Sequence, residues 1–153
     1  MILVLSAIGV LGEYQGGELP EENIVTPAAR TIVLKDSGRG TPVKNWTESM
    51  DPYDIVDYKI DATGLLEVGE NIASYTVLPR ADSELMGLRV ADNGYQTRIV
   101  DNVITLWLSI IPARQGDTLF TVGTTLPVEL SFTTDSVPSR RKQRTCLISV
   151  IQR

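Results

Sequence analysis

The segment Val103–Ile110, VITLWLSI, limits most strongly what this chain can become. Ile104, Leu106, Leu108 and Ile110 fall on every second residue, with Thr105, Trp107 and Ser109 between them. A strand turns successive side chains to opposite faces, so this spacing makes one wholly apolar face and one mixed face. A helix would put the same four residues on opposite sides. The rhythm recurs along the chain. Thr31–Lys35 is a short strand candidate. In Asp54–Asp61, Val56, Tyr58 and Ile60 share a face against Asp57, Lys59 and Asp61. Ile72–Leu78 puts Ala73, Tyr75 and Val77 together, and Met86, Leu88 and Val90 share a further face. Thr118–Val122, Val128–Thr133 and Arg144–Ile151 complete the set, the last with Cys146, Ile148 and Val150 on one side. Helical periodicity is nearly absent. The turn Asp92–Gly94, DNG, marks a hairpin, while ARQGD and GTTLP separate later strands. Seven or eight short strands with turns between them predict an all-β fold, an Ig-like antiparallel β-sandwich over residues 48–153.

Residues 1–47 read differently, as an extended N-terminal arm with one or more short strands. GEYQGGELPEENIVTPAAR is rich in Gly, Glu and Pro and holds no period. The apolar start, MILVLSAIGVLG, is too short for a bilayer span, which needs roughly 20 residues. It also lacks the basic flank and small-residue cleavage site of a signal peptide. It reads as a buried strand or as an arm that docks on a partner. Thirty extended residues reach roughly 100 Å, far enough to lay a strand along another subunit's sheet. Trp46 is expected to pack where the arm enters the domain.

The chemistry-bearing residues are sparse. Net charge is −5, which argues against a nucleic-acid partner, since holding phosphates takes an excess of Lys and Arg. The chain has no His and a single Cys, so Cys146 reads as a small buried hydrophobe. The acidic run Asp51, Asp54, Asp57 and Asp61 lacks the Gly turn and closing Glu of a calcium loop, and reads as a solvated strand face with turn caps. SRRKQR, Ser139–Arg144, reads as a basic hairpin tip or edge strand that discourages stray pairing. NWT at Asn45–Thr47 fits a glycosylation sequon but means little without secretion. No nucleophile motif, phosphate-cradling Gly loop or metal-ligand spacing occurs. Only a pair of carboxylates meeting in space stays open as an enzymatic reading. The expectation is a protein that is not an enzyme and takes no cofactor, metal or small-molecule substrate. Trp107 stands opposite the apolar row. It could meet a neighbouring subunit or lie beneath the arm, and both readings stay open.

One stretch carries a resemblance. NWTESMDPYDIVDYKIDATGLLEVGENIASYTV resembles a module of tailed-bacteriophage fibre–tail adaptor proteins. The carrying elements are Trp46, then DPYDIVDYKID, then a short loop ending GENIAS, then a strand. ITLWLSIIPARQGD and LSFTTDSVPSRRKQRTCLISV are similar to that family's later strand and closing hairpin, and AARTIVL to its leading strand phrase. The chain departs from the pattern in a longer LPRADSELMGL connection, a longer TLFTVGTTLP segment, and ATGLL where aromatics commonly follow DYKID. The resemblance implies a virion structural protein of the tail, present in the host cytoplasm during assembly. It implies self-association into a ring or collar and contacts with other tail proteins and the fibre, with no nucleic acid or membrane. A capsid decoration protein of similar fold is the alternative. The residues expected at interfaces are Met1, Ile2, Leu3, Val4 and Leu5 of the arm; Trp46 and Trp107; Gly123, Thr124, Thr125 and Leu126; and Arg140, Arg141 and Lys142.

Overall fold

The computed structural model describes residues 26–36 and 43–153. Among them nine strands form: β1 (Thr31–Lys35), β2 (Lys44–Asn45), β3 (Val56–Gly64), β4 (Ile72–Pro79), β5 (Leu88–Val90), β6 (Arg98–Val100), β7 (Val103–Ile110), β8 (Thr124–Thr134) and β9 (Arg141–Val150). Two short helices interrupt them, α1 (Ala81–Leu85) and α2 (Thr118–Val122). The strands make two packed sheets, ordered β2-β9-β8-β4 and β1-β3-β7-β5, with β6 also on β7. The fold is the expected all-β sandwich. Its sheets are mixed, however, because β1 runs parallel to β3 and β2 parallel to β9.

The two-residue rhythm explains the core. Ile104, Leu106, Leu108 and Ile110 of β7 are all buried, beside Tyr58, Ile60 and Ala62 of β3 and Ile32 and Leu34 of β1. Facing them are Leu126, Val128, Leu130 and Phe132 of β8 and Cys146, Ile148 and Val150 of β9. Each side chain of this size contributes roughly 1.5–3 kcal/mol when fully removed from water. Trp46 ties the layers together. Its backbone N–H donates to Leu147 O of one sheet (3.0 Å), and its Nε1 donates to Lys59 O of the other (3.0 Å). Its ring leans on Tyr58, with centroids 5.2 Å apart.

Several expectations are corrected. The division at residue 47 does not hold, because β1, β2 and Trp46 are integral to the sheets and core; Met1 to Val25 lie outside the described residues. Thr118–Val122 is a helix. Asp117 caps it by accepting from Leu119 N–H (3.0 Å), and Gly123 ends it at φ 99°. A side chain at Gly123 would also meet Ile151 at 3.2 Å. GTTLP is accordingly no loop: Thr124 to Pro127 are the first residues of β8. Met86 caps α1 and is not in a strand. Asp92–Gly94 does not join paired strands, since β5 and β6 both pair with β7 along one edge. The tight hairpin lies between β6 and β7, where Asp101 (φ 51°) and Asn102 (φ 65°) adopt the left-handed values of a two-residue turn.

Candidate interaction surfaces

Three loops meet at one end of the sandwich, and one carboxylate locks two of them together. Glu70, nearly buried in the β3–β4 loop, accepts from the Arg140 guanidinium, from Ser136 Oγ (2.7 Å) and from the Glu67 backbone N–H (3.0 Å). Arg140 N–H in turn donates to Thr134 Oγ1 (2.9 Å). Asn71 and Asp135 exchange two bonds of 2.9 Å, linking the β3–β4 loop to the β8–β9 loop. Asn102 joins from the third loop: its Nδ2 donates to Asn71 Oδ1 (3.0 Å), and its Oδ1 accepts from Ile72 N–H (2.9 Å). Arg140 first, and then the Glu67 N–H, hold the Glu70 carboxyl far below the usual carboxylate range. Val68 and Val137 stand wholly exposed at the tips of two of these loops.

The basic segment divides in two. Arg141 is exposed, while Lys142 and Arg144 point along the core-facing row of β9 and are nearly covered. Both pair with Asp36, the residue after β1, whose carboxyl is lowered chiefly by its bond to Lys142. The cluster therefore closes one side of the sandwich between the two sheets, and Arg140 is committed to Glu70. Only Arg141 and Gln143 remain as an exposed edge of the kind expected.

The outer face of β3 and β7 holds Trp107, which is half-buried. Tyr95, from the 91–97 segment between β5 and β6, covers part of it, with ring centroids 5.3 Å apart. Asp57, read as solvated, is instead buried on this face. Arg30 Nε donates to its carbonyl (2.8 Å) and Nη2 to its carboxylate (3.2 Å), while Thr26 Oγ1 donates to Oδ2 (2.6 Å). Arg30 Nη1 also donates to Glu48 (3.1 Å), so one guanidinium fastens β1, β3 and the 46–50 segment.

The fourth surface is the edge of β4. Its outer-face residues Ser74, Thr76 and Leu78 are exposed. Beside it runs an open, mainly apolar groove of about 290 Å³ lined by Tyr75, Thr76, Val77, Leu78 and Thr97.

The residues expected at interfaces are thus scattered. Trp46 and Leu126 are 2% and 3% exposed, and their side chains offer nothing to a neighbour; both belong to the core. Thr125 is exposed, Thr124 and Gly123 are half-exposed, and Trp107 lies on the other sheet from Thr124 and Thr125. Met1 to Leu5 lie outside the described residues. Cys146 is fully buried, which pushes its thiol up to about 12. Among the described residues no group of three or more Cys, Asp or Glu side chains converges to hold a metal ion, and no helix is long and apolar enough to cross a membrane. The Glu70 network was not legible in the linear sequence, since Arg140 lies seventy positions away from it. No family model and no curated protein matches this chain.

Proposed function

We propose that this protein is a structural component of a tailed-bacteriophage virion, an adaptor or collar subunit that joins tail fibres to the tail through protein–protein contacts. The observation that carries the reading is the stretch from Asn45 to Val77, NWTESMDPYDIVDYKIDATGLLEVGENIASYTV, with its likeness to fibre–tail adaptor proteins. The geometry of that stretch supports it. Trp46 and Tyr58 pack against each other, DYKID runs through β3, and GENIAS enters β4 through the clamped Glu70–Asn71 corner. The stretch thus forms one continuous unit that passes from one sheet to the other and ends on an exposed edge strand. A scaffold of this kind suits assembly: rigid in its core, with loop tips and edges left for neighbours. Head-to-tail contacts between such subunits make a ring where the rotation from one to the next closes.

Gold-labelled antibody against the protein, imaged on intact particles of the source virus, tests the reading. Label at the tail is the expected result. Label spread over the capsid would replace this reading with that of a decoration protein, and particles without label would end both.

A further inference from the structure

The edge of β4 is built to accept one more strand. Arg80 N–H donates to Pro127 O (3.1 Å), and the pairing with β8 continues in step from there to Ser74, with a bulge at Ala73 before Ile72 pairs again. In an antiparallel pair, alternate residues turn their backbone groups to the partner. Ser74, Thr76 and Leu78 therefore spend theirs on β8. Tyr75 and Val77 turn their N–H and C=O groups to the open side, where no described strand pairs with them. The opening has two defined ends. Pro79 has no N–H to offer, and the outward N–H of Ile72 is already held by Asn102 Oδ1 (2.9 Å). Between them lies a window of about six residues, roughly 20 Å at 3.3 Å each. The apolar groove along Tyr75, Val77 and Thr97 would take the inward side chains of the added strand. Unpaired edges of this length usually carry charge or cover. Ala73–Leu78 has neither Lys, Arg, Asp nor Glu.

We infer that the occupant is the N-terminal segment Met1–Val10 of a neighbouring copy, added as a strand to β4. This rests on the assembly reading above. The segment MILVLSAIGV has no charge and no Pro, and both its odd and its even rows are apolar through Leu5. It is part of the longest uncharged stretch without Pro in the chain, residues 1–12, and it exceeds the window. Residues 11–25 separate it from Thr26 and can span roughly 50 Å when extended. The place where the described chain begins decides the direction. Thr26 is fixed on Asp57 beside edge strand β1. β4 ends its sheet on the side where β5 ends the other, opposite β1. Donor and acceptor thus sit on opposite sides of one subunit, which is the arrangement of a head-to-tail contact, one that makes a ring where the rotation between neighbours closes. Main-chain bonds would supply affinity and the groove the selectivity, as in other strand-addition complexes.

Variants of the full chain with one added cysteine test this. One carries Leu78→Cys; three others carry Val4→Cys, Leu5→Cys or Ser6→Cys. The native Cys146 is buried and stays out of the reaction. Each arm variant is mixed with Leu78→Cys and treated with a short bis-maleimide, and covalent dimers are read on denaturing gels. Pairing holds the two thiols at an effective concentration near millimolar, so at least about tenfold more dimer is expected in the mixture than in either variant alone. Equal dimer in mixture and single variants would overturn the inference. So would Leu78→Cys alone dimerising as strongly, which means symmetric edge pairing. So would a chain carrying both Leu5→Cys and Leu78→Cys that links only within itself. Loss of the tail location in labelled virions would leave a positive cross-link standing, and a negative cross-link would leave the tail location standing.

Discussion

Replacing Leu106 by Ala and Trp107 by Ala, two neighbours on one strand, should separate the faces of the central sheet. Leu106 is fully buried and pairs across the sheet with Tyr58. Truncation removes three carbons, roughly 2–2.5 kcal/mol of transfer free energy at about 0.8 kcal/mol each. If the walls hold, the emptied space of about 70 Å³ adds about 1.7 kcal/mol at about 24 cal/mol per Å³. Ile104 and Leu108 flank the site on a strand paired on both sides, so little collapse is expected, and the total should be about 4 kcal/mol. Trp107 is half-buried on the other face and meets Tyr95. Losing that ring contact costs about 0.5–1.5 kcal/mol, and the area it covers adds about 2 kcal/mol at about 25 cal/mol per Å², but no sealed cavity is left, so about 2.5–3.5 kcal/mol in all. Guanidinium titration followed by far-UV circular dichroism, rather than by Trp emission, measures both. Leu106→Ala should move the midpoint further than Trp107→Ala, at unchanged slope. A loss from Trp107→Ala equal to or larger than that from Leu106→Ala would refute the assignment of Trp107 to an outer face.

Two further outcomes are expected. Asp117→Ala removes the cap of α2 and should lower stability by about 1 kcal/mol, with Asp117→Asn recovering most of it; an Ala variant as stable as the parent in thermal melts would show that the cap contributes nothing. Because the folded state holds the Glu70 carboxyl below its ordinary value, the unfolded chain binds more protons there, so stability from this group is complete above about pH 4.3 and is lost as the pH falls. Denaturant melts between about pH 2 and 6 should therefore show a shallower slope in Glu70→Gln than in the parent, and identical slopes would discount the Arg140 clamp.

What the sequence made legible was whatever a period of two encodes. The rows Ile104–Ile110 and Cys146–Val150 are long enough for the rhythm to outvote a helix, and both line the core. Five residues at Thr118–Val122 are too few to separate the two periods, and the signals that decide them stand outside, at Asp117 and Gly123. Trp46 betrayed its importance by type but not its role. Nothing local shows that its N–H groups meet opposite sheets. The same holds for Asp57, whose alternation placed it correctly on the outer face while Arg30, far off in sequence, buried it there. Asp101–Asn102 lacks the Gly that made Asp92–Gly94 the stronger hairpin signal, yet it forms the hairpin. The difference is tertiary: β7 has two short strands along one edge, and only the second turns directly into it.

The parallel pairing of β2 with β9 bears on how the chain is made. Lys44 pairs with Cys146, about a hundred residues later. At a synthesis rate of roughly 5–20 residues per second, β2 waits several seconds for its partner to be translated. Closing so distant a contact also carries a large loop entropy, which slows folding of sheet proteins generally. Trp46 follows β2 directly and takes its backbone bond from the same late strand. The joint that Trp46 makes between the two sheets is thus completed only after β9 has been synthesised, and a nascent chain stalled before Arg141 should remain sensitive to protease around Trp46.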